Sequence, residues 1–107
     1  MQYSIYKSVD GWKARSHFPF GENQELEIRT SKRHAGLVAA YASVSRVEGG
    51  FKTFAVFSDY SKIVTQSGAK RITEDVIRKV HELALERIEE IKADAEAFYA
   101  AKQGEAA

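Results

Sequence analysis

The chain has no cysteine, one proline and one methionine. Without thiols it can form neither disulfides nor thiolate zinc sites, and redox chemistry says nothing of its compartment. No apolar run approaches the roughly 20 residues needed to span a bilayer. The opening Met-Gln-Tyr-Ser-Ile-Tyr-Lys has no signal-peptide core, so the expectation is a cytoplasmic protein with no membrane association. Catalytic signatures are missing too: there is no GxSxG elbow and no glycine-rich loop between a strand and a helix. His17, His34 and His81 share no ligand spacing such as i,i+4, which argues against a metal site. The expectation is a protein that is not an enzyme and holds no cofactor and no metal.

What is present is one domain's worth of core. At 107 residues and 44% apolar content, the chain can close a single core of helix on sheet. The expected layout is one α+β domain over residues 1–103, with a sheet in 1–66, one long helix in 73–102 and a disordered tail in 104–107.

The helix rests on period. Val76, Ile77, Val80, Leu83, Ala84, Ile88, Ile91, Ala95 and Phe98 recur at 3.6-residue spacing, with Glu82, Glu86, Glu89, Glu90 and Glu96 away from that stripe. Thr73 is a fitting N-cap, followed by Glu74 and Asp75 at the positive end of the helix dipole. Arg87 points into the stripe and reads as a long stem covering apolar surface with its head in water. His81 reads as a boundary residue at the stripe's edge.

The preceding residues alternate as strands. Asp10-Gly11 predicts a two-residue hairpin turn, setting Val9 opposite Trp12, Ile5 opposite Ser16 and Tyr3 opposite Phe18. Tyr3, Ile5, Val9, Trp12, Ala14 and Phe18 then form a core face, and Ser4, Tyr6, Ser8, Lys13, Arg15 and His17 a basic, hydroxyl-rich one. Pro19 belongs near a strand end, and Leu26 to Thr30 is a third strand. Residues 31–36 read as a loop. A second hairpin around Gly49-Gly50 would pair Val44 with Ala55, Ser43 with Val56 and Ala42 with Phe57, placing Tyr41, Phe54 and Tyr60 on the side away from the helix. The predicted architecture is an antiparallel meander of about five strands with one long C-terminal helix packed on one face.

Length exposes a mismatch. About 30 helical residues span roughly 45 Å, whereas eight-residue strands reach only about 27 Å. The last turns, with Phe98 and Tyr99, must therefore cross diagonally, fold back or overhang, and an overhang is most simply buried in a homodimer through the C-terminal helix.

Charge divides along the chain. Residues 1–72 carry eleven Lys/Arg against six Asp/Glu, and residues 73–107 five against nine, so a basic sheet half faces an acidic helix half. Two surfaces follow. One is a protein-interaction surface of Tyr41, Phe54, Tyr60, Phe98 and Tyr99. The alternative is a nucleic-acid surface of Lys13, Arg15, His17, Arg29, Lys32, Arg33 and His34, with neighbouring aromatics for stacking.

Three segments extend the reading: Ile28-Arg29-Thr30-Ser31-Lys32-Arg33-His34, Ser45-Arg46-Val47-Glu48-Gly49-Gly50-Phe51, and Arg71-Ile72-Thr73-Glu74-Asp75-Val76 followed by His81. This pattern resembles short uncharacterised proteins encoded by bacterial phages and prophages. The resemblance implies a setting and no mechanism. In that setting it suggests an accessory or host-inhibitory factor acting on a protein partner.

Overall fold

The computed structural model describes residues 3–21, 24–48 and 54–106, without the side chains of 46–48, 54–59 and 103–106. Five antiparallel strands run in chain order: β1 (Ser4–Ser8), β2 (Gly11–Pro19), β3 (Gln24–His34), β4 (Leu37–Glu48) and β5 (Phe54–Gly68). Two helices follow, α1 (Glu74–Leu85) and α2 (Ile88–Ala106), both on one face of the sheet. The α+β meander is as predicted, but the single long helix is two.

The first hairpin turns on Val9-Asp10 rather than Asp10-Gly11, with Ser8 opposite Gly11 and Ile5 opposite Ala14. Gly11 takes φ 121°, a backbone state that side-chain-bearing residues rarely enter. The ladder lies two positions from the expected one. Because strand side chains alternate with period two, an even displacement leaves every paired residue on its expected face. Only Val9 changes role, from core to a fully exposed turn.

β3 is longer than predicted. Ser31 and Lys32 still pair with Ala39 and Val38, Arg33 bulges, and Ala35-Gly36 makes the turn. The polar run is thus the solvated end of a strand and not a loop. In the second hairpin Val47 pairs with Ala55 and Ser45 with Phe57, three positions from the expected register. Gly49-Gly50 lies outside the described residues. An odd displacement exchanges the faces of β5, which puts Tyr60 on the helix side.

The core lies between the sheet and α1. Ala14, Leu26, Ile28, Val38, Ala40, Ala42 and Val44 point to the helix side, and Ile77, Val80, Ala84 and Leu85 meet them. Fully burying a Val, Leu or Ile side chain contributes about 1.5–3 kcal/mol, so this interface dominates stability. The small side chains of Ala40 and Ala42, both fully buried, let α1 approach closely. Thr73 caps α1 as expected, its hydroxyl accepting from the Val76 amide at 3.4 Å.

The helix is interrupted at Glu86-Arg87 without proline or glycine. The Arg87 amide bonds three residues back to the Ala84 carbonyl at 3.0 Å, a tight turn, before Ile91 bonds back to Arg87 at 2.9 Å. Arg87 does not simply extend into water. Its guanidinium holds Glu90 at 2.9 Å and donates to the carbonyl of Val64, the unpaired residue where β5 bulges opposite Ala40 and Tyr41. Helix break and strand bulge are therefore joined by one side chain. Beyond the break, α2 is held by Ile91 and Ala95, both buried, and runs to Ala106, through the segment expected as a tail.

Candidate functional site

Both helices back one face of the sheet, so the other face is the natural candidate surface. There Glu27 sits at the centre of a polar network. Its carboxylate accepts from Arg15 Nη2 at 2.9 Å, lies 3.0 Å from His17 Nε2 and 3.7 Å from Arg29 Nε. Burial alone would raise the Glu27 carboxyl, but the hydrogen bonds from Arg15 and His17 outweigh it and hold it below the usual carboxylate range. Lys13 is paired to Asp10 at 3.2 Å. Tyr6, exposed, lies opposite Lys13, and half-buried Tyr41 lies opposite Arg29.

The expected nucleic-acid residues divide into two groups. Lys13, Arg15, His17 and Arg29 share the open face. Lys32, Arg33 and His34 end β3, where Arg33 reaches Gln66 at 3.5 Å and His34 Nδ1 lies 3.0 Å from the Ala35 carbonyl. The carboxylates compensate much of the first group. A phosphate chain crossing the open face would meet Glu27 as well as its cations.

The expected protein-contact residues do not form one surface. Tyr60 is buried beneath α2, its hydroxyl donating to Asp94 at 2.8 Å and its ring 5.6 Å from Phe98. Burial and the Asp94 carboxylate both raise the Tyr60 phenol above its ordinary range. Lys62 holds the same Asp94 at 2.5 Å. Tyr99 packs on Phe20 with ring centres 6.0 Å apart, whereas Phe98 keeps 38% of its surface exposed. The helix end thus folds onto the sheet. Phe54 has no described side chain, and only Tyr41 lies on the open face. Tyr60→Phe is expected to lower stability by about 1 kcal/mol, because Asp94 keeps Lys62 as a partner. Urea denaturation of the pair of proteins would check it.

His81 has a role that the sequence reading missed. It is fully buried, with Nε2 at 2.7 Å from Ser16 Oγ and Nδ1 at 2.8 Å from Thr30 Oγ1. The Tyr3 ring lies 4.8 Å away and covers one side. Ser16 and Thr30 occupy inward positions on β2 and β3, so the imidazole clasps α1 to two strands. A serine beside a histidine is also the geometry of an activated nucleophile. In this chain the third group is a hydroxyl rather than a carboxylate, and Ser16 is 4% exposed, which suits a structural clasp. The signal was available: two hydroxyls alternating inward on adjacent strands call for a polar partner from the helix.

Among the described residues no group of three His, Cys, Asp or Glu side chains is placed to hold a metal ion. No described helix is long and apolar enough to cross a membrane. Comparison with known proteins finds no matching family model, curated relative or solved structure.

Proposed function

We propose that this is a non-enzymatic binding protein that docks a protein partner on the open face of its sheet. The observation that supports this reading is the one-sided architecture. Five strands are backed by both helices on one side, and the other side presents Tyr6, Tyr41 and the network of Arg15, His17 and Arg29 around Glu27. Aromatic and arginine side chains held in place by neighbours are the residues that most often dominate interface energetics. The alternation of cations with Glu27 and with Glu25, which lies 3.7 Å from His17 Nδ1, suits a protein surface of mixed charge better than a polyphosphate chain. In the setting that the phage and prophage resemblance implies, the partner is a host protein and the effect accessory or inhibitory.

The test uses Tyr6→Ala/Arg29→Ala. Both side chains are exposed enough for stability to stay within about 0.5 kcal/mol of the parent. A stoichiometric partner recovered by the parent from bacterial lysate should bind the double variant at least about tenfold more weakly. Equal binding by the two proteins would sink the reading, as would recovery of nucleic acid alone with affinity falling steeply in salt. Light scattering covers the remaining occupant, since a dimer that survives both substitutions points instead to the exposed Phe98 edge of α2.

A further inference from the structure

Away from the open face, three connections meet at one end of the sheet: the β1–β2 turn, the β3–β4 turn and the segment from β5 to α1. The Ala69 amide donates to the Gly36 carbonyl at 3.0 Å, which fixes the last two against each other. Gly36 takes φ 83° to make that turn. Between the three lies an open cavity of about 410 Å³ whose walls include Trp12, Ile72, Lys32, Lys70, Arg71 and Asp10.

The charges in this cavity are unevenly satisfied. Asp10 is held by the Ser8 hydroxyl at 2.5 Å and by Lys13 at 3.2 Å, so its carboxylate is already compensated. Nearby, Glu74 is taken by Arg78 at 2.8 Å, and the amino end of α1 is closed by Thr73. Lys32, Lys70 and Arg71 are exposed and make no ion pair with any described residue. Three cations, one from the end of β3 and two from the β5–α1 segment, thus surround one cavity, whereas the cations of the open face have acids among them. A half-buried indole and Ile72 give the same cavity an apolar wall.

We propose that this cavity binds a small organic phosphate, with Lys32, Lys70 and Arg71 on the phosphate and Trp12 and Ile72 against its carbon body. Arginine supplies a planar fork to phosphate oxygens and the lysines supply mobile point charges. The volume falls within the roughly 300–1,000 Å³ typical of small-molecule sites. This site is independent of the docking face, so either proposal can fail alone.

Trp12 is the chain's one tryptophan, so its indole N–H gives a single reporter inside the cavity. Adenosine monophosphate is the probe, titrated at low salt and followed by amide and indole NMR shifts. The expected result is saturable movement of the Trp12 indole and of the amides of Gly11, Gly36 and Ile72, with Kd below about 1 mM. Lys70→Ala/Arg71→Ala should raise Kd at least about tenfold while leaving the rest of the spectrum in place. Inorganic phosphate, lacking a body to touch Trp12, should bind at least about tenfold more weakly. Absence of shifts, shifts centred elsewhere, an unchanged Kd in the double variant, or equal binding of inorganic phosphate would each overturn the proposal.

Discussion

His81→Ala should lower the stability of this protein by about 4 kcal/mol, as measured by chemical denaturation near neutral pH. Two costs combine. The Ser16 and Thr30 hydroxyls, both almost inaccessible to water, lose their partner, at about 1–3 kcal/mol for each buried group left unsatisfied. The vacated imidazole volume adds a cavity term under Tyr3. For a single domain with total stability of about 5–15 kcal/mol, this is a large fraction. The thermal midpoint should fall by about 20 °C. A second variant separates the causes. Ser16→Ala/Thr30→Val/His81→Leu replaces the donors and acceptors together by apolar groups and should recover most of the loss, because removing a whole hydrogen-bonded set costs far less than orphaning part of it. If the triple variant is no more stable than His81→Ala, the clasp is not what holds α1 to the sheet.

The residues of this clasp also show what could be read in advance. The inward alternation of Ala14, Ser16 and Phe18 on β2, and of Leu26, Ile28 and Thr30 on β3, was legible because period two survives any even error in register. The first hairpin carried such an error, and its faces came out right. The second carried an odd one, and Tyr60 moved from a presumed contact surface into the core. The cause was not propensity. The displacement is already three positions where Val47 pairs with Ala55 and Ser45 with Phe57, and the bulge between Phe57 and Ser61 adds two more residues to β5, which leaves the parity, and so the face of Tyr60, unchanged.

The helix shows the same limit. The 3.6-residue stripe continues from Ile77 through Ile91 to Ala95, so nothing local marks a break at Glu86-Arg87. The break answers a tertiary fact, the carbonyl of Val64 at the β5 bulge, which Arg87 binds from across the interface. Length misled as well: an overhang followed only from eight-residue strands, whereas β4 has 12 residues and β5 has 15, enough at about 3.3 Å per residue to match the helical segment. Both helices stay against one face of the sheet, with Tyr99 on Phe20, which leaves the sheet's far side uncovered. The candidate docking face is therefore a consequence of where the helix went. The cavity near Trp12 was not legible at all, since Lys32 and Arg71 are 39 positions apart in sequence and meet only because the end of β3 and the β5–α1 segment lie at the same sheet end.

Acid should act on this fold earlier than its carboxylates alone would allow. Burial lowers the His81 pKa to about 4 from 6.5, only partly opposed by Glu82 one residue on, while Tyr3, Ser16 and Thr30 face the ring without charge near neutrality. Both tautomers are satisfied by two hydroxyls, and a protonated ring could donate to both, so the penalty is the desolvated charge and not a lost hydrogen bond. Above pH 6.5 neither state of His81 is protonated and stability is flat in this respect. Between 6.5 and 4 the unfolded chain takes up a proton that the native state refuses, so stability falls as pH falls. At about 1.4 kcal/mol for each unit of pKa difference, the loss approaches about 3 kcal/mol by pH 4. Glu27 and Asp94 act in a lower window. Their folded-state pKa values are depressed, so their stabilisation is complete above the ordinary carboxylate range and is lost only as pH drops through it. Denaturation midpoints at pH 7, 5.5 and 4.5 should therefore already decline in the parent. In Ser16→Ala/Thr30→Val/His81→Leu the decline above pH 5 should vanish and the lower one remain. A parent whose stability is level from pH 7 to 5, or a triple variant with the parent's slope, would show that the buried imidazole is not the acid-sensitive group.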